Sequence, residues 1–169
     1  RGGNTGHFSA AVIGNNPNVI VNVFTRKPAE WSKEIIGYTN ESPWKDRGDI
    51  IGNTLPKGDP NFVNMVLGKL NIISDDPKEV AEGTRLFILC GPAYSAQPIL
   101  EKLASFVEKN SYVGTVFGQG GFNWLAKFIF GQRIKSDNLT IFALQNVPSI
   151  CKIKTYGQSV RIIGPKDTL

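Results

Sequence analysis

The chain has 169 residues, of which 41% are hydrophobic and 20% are charged, and its formal net charge at pH 7 is +5. This composition predicts one globular domain with its own core. It excludes an intrinsically disordered chain, and the sequence has neither an apolar run of about 18–20 residues that could span a membrane nor a signal-peptide pattern. Lysine and arginine are scattered along the chain without a basic run. The positive charge therefore favours a solvated surface that receives anionic small molecules over a surface for RNA or a membrane.

The first predicted element is a helix that begins with a glycine-rich turn. The chain opens with "RGGNTGHFSAAVIG", in which Phe8, Ala11 and Val12 follow the helical spacing. Gly3 and Gly6 fit the second and third glycines of a G-x-G-x-x-G turn, and the strand that should precede this turn is expected before the first residue. The alternative is an ordinary helix start after a flexible terminus.

A strand, a second helix and a hairpin are predicted next. The run "NVIVNVFTRK" is β-branched and of strand length, and "PAEWSKEIIGY" has Pro28 at a plausible helix start. From about Asn40 to Asp76 the chain is rich in Gly, Pro, Asn and Asp around short apolar runs. This pattern favours a β-hairpin over further helix.

Helices and strands are predicted to alternate again in the second half. The run "DPKEVAEG" predicts a short helix, "TRLFILCGP" a strand buried on both faces, and "SAQPILEKLASFVEKN" an amphipathic helix. The run "SYVGTVFG" predicts a strand, and "FNWLAKFIFG" a helix that ends at Gly131 and buries Trp124 and Phe128 in the core. The run "LTIFALQNVP" predicts the next strand, and "ICKIKTYGQSVRIIG" two short strands around a Tyr-Gly-Gln turn.

This alternation predicts an α/β fold of the Rossmann type, doubly wound, with a mainly parallel sheet and helices on both faces. Residues 1–169 are predicted to form one domain. Ligands of such folds bind at the carboxyl ends of the strands. The glycine-rich loops "RGGNTG", "CGPAY" and "FGQGG" all follow predicted strands, so we expect them to meet at that edge.

The two cysteines, Cys90 and Cys151, are far apart in the sequence and lie in apolar surroundings. Such residues are more often buried free thiols than a disulfide. Free thiols fit a reducing compartment, which predicts a cytoplasmic protein.

Four motifs resemble the amino-terminal dinucleotide-binding domain of the opine dehydrogenases, the octopine dehydrogenase group: "GGNTGH", "FILCGPAYSAQPIL", "FGQGGFNW" and "LQNVPSICKIKTYGQSVRIIG". The resemblance covers nearly the whole chain, with Arg1 standing where the first glycine of the turn is expected. It implies an oxidoreductase that reductively condenses an amino acid with an α-keto acid such as pyruvate, using NADH or NADPH. It also implies a second, helical domain beyond Leu169 that supplies the catalytic histidine. No catalytic residue is therefore expected within this chain, and the chain alone should be inactive.

The cofactor-binding residues are expected at three loops. The amides of the first turn favour a pyrophosphate because unpaired N–H groups and the helix dipole both attract anions. The strand ending "VFTRK" offers cations and no acidic residue before Glu30, so NADP is slightly favoured over NAD, although solvated strand-end charges are an alternative. His7 is expected to be a local or phosphate-side residue and not the proton donor. The predicted cofactor-binding residues are Gly2, Gly3, Asn4, Thr5, Gly6, His7, Thr25, Arg26, Lys27, Gly91, Pro92 and Tyr94.

Gln119 and Asn146 are the predicted substrate-binding residues. Gln119 has glycine neighbours that let a ligand approach, and its amide can donate to a keto-acid carboxylate. Small-molecule substrates are the expected partners, and no metal is expected. Two alternatives remain: a non-catalytic module that binds or senses NAD(P)(H), and a related two-domain dehydrogenase of the glycerol-3-phosphate or ketopantoate reductase type.

Overall fold

The computed structural model describes residues 3–39, 64–118 and 120–165. The helices are α1 (Asn4–Ile13), α2 (Pro77–Ala81), α3 (Ala96–Leu103), α4 (Phe122–Phe130) and α5 (Arg133–Ser136). The strands are β1 (Val23–Phe24), β2 (Glu34–Thr39), β3 (Asn64–Lys69), β4 (Ile73–Ser74), β5 (Leu86–Leu89), β6 (Tyr112–Thr115), β7 (Thr140–Ala143), β8 (Ser149–Thr155) and β9 (Ser159–Pro165). Short 3-10 turns occupy Pro28–Glu30, Ala93–Ser95 and Ala104–Phe106.

Two of the sheets are wholly parallel, as predicted, and β2 also pairs in parallel with β9 in the third sheet. β5, β6 and β7 form a three-stranded parallel sheet, and β1 pairs in parallel with β4. The helices predicted before and between these strands are present as α1, α2, α3 and α4, and α4 ends at Gly131. The α/β class is thus confirmed. The strand predicted before the first residue stays a prediction.

A four-stranded sheet with the order β3-β2-β9-β8 was not predicted. β2 occupies the stretch that was predicted to be a helix starting at Pro28, and only the turn Pro28–Glu30 is helical there. Ile35, Gly37 and Thr39 are buried in alternation along β2, a period of two that belongs to a strand. The helix prediction was wrong because Pro28 also suits a short turn that leads into a strand.

Only the last part of the predicted hairpin region lies within the described residues, so the hairpin itself stays a prediction. β3 runs antiparallel to β2, with Glu34 opposite Lys69 and Thr39 opposite Asn64. The run "DIIGNTL" lies outside the described residues. The predicted pair of strands around the Tyr-Gly-Gln turn is confirmed, because β8 and β9 pair antiparallel on either side of that turn.

One core lies between the parallel sheet and its helices. It includes Phe87 and Leu89 of β5, Leu100 of α3 and Ala126 of α4. Leu86 of β5 is 52% exposed, so burial on both faces of this strand was wrongly predicted. The core of this layer lies on the face to which Phe87 and Leu89 point.

The two aromatic residues predicted for this core lie on the outside. Trp124 and Phe128 are 82% and 83% exposed. α4 buries Phe122, Ala126 and Phe130 instead, which lie on one side of the helix at a spacing of four residues. Residues 124 and 128 point the other way because a helix turns by about 100° per residue.

A second core joins α1 to the four-stranded sheet. Ile35, Val66 and Val160 of this sheet pack with Phe8 and Ala11 of α1. The helix lies directly on β3 at Gly68, where an added Cβ would come within 2.3 Å of the Ala10 carbonyl oxygen. Only glycine permits this close approach, which fixes the height of α1 above the sheet. Within the described ranges, no helix is long and apolar enough to cross a membrane.

Candidate dinucleotide-binding site

The glycine turn before α1 is seated against the end of β5. Gly3 is the N-cap of α1 in an extended conformation, and no side chain in the described part of the chain caps the helix. An added Cβ on Gly3 would lie 3.8 Å from the Cys90 carbonyl oxygen, and one on Gly6 would lie 3.6 Å from the Cys90 Cβ. The uncapped amides of the first turn therefore lie at the carboxyl end of a parallel strand, where they can bind an anion.

The loops after the three parallel strands contact one another. An added Cβ on Gly120, after β6, would lie 2.9 Å from the Cβ of Ala93, after β5. The Gly118 amide donates a hydrogen bond of 2.9 Å to the Leu144 carbonyl, just after β7. The predicted meeting of glycine loops at one edge is thus supported for these residues.

The other predicted residues of this edge lie in the same loops. Gly91 follows Cys90 directly and is half-buried, Pro92 is exposed, and Tyr94 is 85% exposed. Asn146 is half-buried, two residues after Leu144. Gly2 and Gln119 lie outside the described residues, so their roles stay predictions.

His7 is fully buried and both of its ring nitrogens have partners. Its Nδ1 donates to the Gly3 carbonyl oxygen at 3.1 Å, and its Nε2 accepts from the Gly157 amide at 2.7 Å. These partners require the neutral imidazole with its proton on Nδ1. Burial lowers the pKa of His7, and the Gly3 carbonyl opposes this only in part. The ring connects the glycine turn before α1 to the β8–β9 turn, and both of its nitrogens are engaged. Its predicted place among the cofactor-binding residues stays a prediction.

Three aromatic rings form a cluster at this point. The His7 ring centroid lies 4.4 Å from that of Trp31 and 5.0 Å from that of Tyr156, and the latter two are 6.0 Å apart. The Asn4 side-chain oxygen accepts from the Ile153 amide at 2.9 Å. The start of α1 is thus fixed to the β8–β9 hairpin. This contact could not be predicted from the sequence because the partners are about 150 residues apart.

The second part of the candidate site follows β1. A cavity of about 310 Å³ is lined by Thr25, Arg26, Lys27 and Tyr156. Thr25 is buried and its amide donates to the Ser74 carbonyl at 2.9 Å, while Arg26 is exposed. The ammonium group of Lys27 pairs with the Glu30 carboxylate at 2.5 Å. The nearest acid in the sequence is therefore already engaged with Lys27, while the exposed Arg26 lines the cavity.

The two cysteines are free thiols, as predicted. Burial raises the pKa of Cys90, although a contact with the Ser9 hydroxyl at 3.7 Å acts in the opposite direction. Burial also raises the pKa of Cys151 to about 11, with a smaller contribution from Cys90. Both thiols are therefore protonated at neutral pH and poorly nucleophilic.

The buried His7 predicts a pH-dependent stability. Its pKa is lowered in the folded protein, so below the unfolded value of 6.5 the unfolded state takes up the proton first and the free energy of unfolding falls. A His7→Phe variant keeps an aromatic ring at this position but loses both hydrogen bonds of the imidazole. We therefore expect it to be about 1–3 kcal/mol less stable than wild type at neutral pH. We also expect its urea-unfolding free energy to fall less between about pH 7.5 and about pH 5. Identical pH profiles for wild type and variant would contradict the buried neutral histidine.

An uncapped glycine turn, adjoining strand-end loops and a cationic cavity after the next strand are the features of dinucleotide-binding α/β folds. No family model matches the chain. It is 26% identical over 169 residues to the uncharacterized protein y4xO of Sinorhizobium fredii, 26% identical over 173 residues to the tauropine dehydrogenase of Arabella iricolor, and 24% identical over 176 residues to the octopine dehydrogenase of Pecten maximus. Each alignment covers 99% of this chain. The chain spans only about 40% of the length of these curated relatives.

The fold is similar to that of octopine dehydrogenase solved in complex with NADH and agmatine. The TM-score is 0.80 at 22% identity, over 98% of this chain and 38% of the other. At 22% identity, this similarity shows only that the two proteins share a fold. The resemblance to the opine dehydrogenases that the motifs predicted is confirmed along nearly the whole chain.

Proposed function

We propose that this chain is the NAD(P)-binding part of an opine dehydrogenase-like oxidoreductase. The observation that carries the proposal is the uncapped turn at Gly3, seated on the end of β5 and joined through His7 and Tyr156 to a cavity beside Arg26. Its relatives include tauropine, opine and octopine dehydrogenases. Octopine dehydrogenase has been solved with NADH together with agmatine, L-arginine or pyruvate.

The residues present fit a nicotinamide dinucleotide at two separate points. The first-turn amides of Asn4, Thr5 and Gly6 would bind the pyrophosphate, because each is an N–H group at the positive end of the α1 dipole. At the cavity, Thr25 and Arg26 would bind the adenosine ribose. The bound cofactor supplies the hydride. The chain's own residues hold it along the carboxyl edge of the parallel strands.

The proposed reaction joins the amino group of an amino acid to the keto carbon of an α-keto acid such as pyruvate. Water leaves, and a hydride and a proton are added to the new carbon–nitrogen bond. Gln119 and Asn146 are the proposed binding residues for the keto acid, since a side-chain amide can donate a hydrogen bond to its carboxylate. His7 would not transfer the proton, since it is buried with both nitrogens engaged. The resemblance to the opine dehydrogenases assigns this step to a histidine of a second domain.

Arg26 favours NADP as the cofactor. A guanidinium binds a phosphate through two charge-assisted hydrogen bonds, and the Arg26 side chain is exposed at the cavity with no acidic residue before Glu30. Lys27 adds a positive charge, but Glu30 neutralises part of it.

The proposal is tested with the full-length protein that contains this chain. We expect absorbance-monitored oxidation of NADPH or NADH only when an α-keto acid and an amino acid are both present, with pyruvate and a panel of amino acids as substrates. Mass spectrometry should identify a secondary amine that contains both carbon skeletons. Binding without oxidation would favour the sensing module, and absence of dinucleotide binding would overturn the proposal.

A further inference from the structure

We infer that Tyr156, in the β8–β9 turn, contacts the adenosine half of the bound cofactor and makes this hairpin part of the cofactor site. This inference rests on the proposed function. The cavity beside β1 is lined by three consecutive residues, Thr25 to Lys27, and by Tyr156 from a distant part of the sequence. Three of the four lining residues are polar or cationic, and Tyr156 is the aromatic one.

The Tyr156 ring is held in place by the protein itself. It meets the His7 ring edge-on, with an interplanar angle of 63°, and the Trp31 ring at 78°. The adjacent Gly157 donates its amide to His7 Nε2, and its carbonyl accepts from the Ser32 amide at 2.8 Å. A ring fixed before the ligand arrives loses little conformational entropy on binding.

The ring, and not the hydroxyl group, would meet the ligand. The Tyr156 hydroxyl oxygen is buried and has no hydrogen-bond partner among the described residues. The residue is half-buried and lines the cavity, so a part of Tyr156 other than its hydroxyl group faces the cavity. The Lys27 ammonium lies 5.9 Å from the ring centroid. A flat aromatic surface beside two cations suits a purine base that carries a phosphorylated ribose.

The same geometry connects the two ends of the cofactor site. His7 contacts the Gly3 carbonyl at the phosphate turn and the Tyr156 ring at the cavity. The distance between the turn at Gly3 and the cavity beside Tyr156 is therefore set by the buried His7 side chain. A dinucleotide would meet the turn amides with its pyrophosphate and the Tyr156 ring with its adenine.

The test uses ADP-ribose, which contains the adenosine and pyrophosphate without nicotinamide, titrated into the full-length protein by calorimetry. We expect Tyr156→Phe to bind it as wild type does and Tyr156→Leu to bind it about tenfold more weakly, the lower end of the range for loss of a base–aromatic contact. Tyr38→Leu is the matched control. Tyr38 lies on β2, which pairs with β9, and it is half-buried like Tyr156. The Lys154 ammonium lies 4.4 Å from the Tyr38 ring centroid, and Tyr38 does not line the cavity.

Unchanged affinity in Tyr156→Leu, an equal loss in Tyr38→Leu, or a loss in Tyr156→Phe as large as in Tyr156→Leu would each overturn the inference. A wild-type protein that binds neither ADP-ribose nor any nicotinamide dinucleotide would overturn the proposed function as well. If Tyr156→Leu does not fold, NMR of the tyrosine-labelled wild-type protein tests whether Tyr156 contacts the ligand. The ring resonances of Tyr156, assigned by their loss in Tyr156→Phe, should shift on addition of ADP-ribose, and an absence of shift would overturn the inference.

Discussion

Arg26→Ala in the full-length protein should weaken NADPH binding by about 1.5–3 kcal/mol, or about 10- to 150-fold, while NADH binding stays nearly unchanged. The 2′-phosphate brings up to two negative charges to the end of β1, where the exposed Arg26 side chain lines the cavity. NADH carries only a hydroxyl group at this position, so it loses little when the guanidinium is removed.

Dissociation constants for both cofactors, measured by calorimetry on wild type and variant, check this expectation. Lys27→Ala should cause a smaller loss because its ammonium is already paired with Glu30. Arg85→Ala is the matched control, since this exposed arginine pairs with Glu108 and does not line the cavity. Equal losses for the two cofactors, or a wild type that prefers NADH, would show that Arg26 is only a surface charge.

Local patterns predicted the elements around the parallel sheet. The spacing of Phe8, Ala11 and Val12 gave the helix of α1, and the apolar runs that contain β5, β6 and β7 predicted those strands. Each of these signals lies within one short stretch. Strand-end loops could be expected to meet because the strands are parallel, so the contact of Gly120 with Ala93 follows from the same argument.

Long-range pairing could not be predicted in this way. β2 pairs with β9, placing Ile36 opposite Ser159, and nothing in either stretch identifies the other as its partner. Tyr156 was predicted only as a turn residue for the same reason. Its position beside Arg26 depends on the docking of the β8–β9 hairpin onto His7.

The helix α4 shows why its buried side was misjudged. The run "FNWLAKFIF" is apolar almost all round, so Trp124 with Phe128 and Phe122 with Phe130 are both acceptable core faces by periodicity. The side that carries Ala126 packs closely against the core, and this decides which aromatic residues are buried. The sequence of the helix alone cannot predict this, because the surface against which the helix packs is formed by other elements.

Gly157→Ala should lower the free energy of unfolding by about 2–5 kcal/mol. Gly157 has φ of +68°, and an added Cβ would lie 1.9 Å from the Glu30 carbonyl oxygen. Left-handed backbone costs a residue with a Cβ about 1–2 kcal/mol, and crowding into a packed site adds about 1–3 kcal/mol. The obstacle is backbone, so it cannot move aside as the end of a flexible side chain would.

The chain offers a matched control in Gly83, which has φ of +69° and no atom within 4 Å of an added Cβ. Gly83→Ala should therefore show only the backbone cost of about 1–2 kcal/mol. Urea unfolding of the two variants, with m-values that stay equal to that of wild type, separates the backbone cost from the cost of crowding. Equal losses in the two glycine variants would mean that the β8–β9 turn is not packed against the turn that contains Glu30.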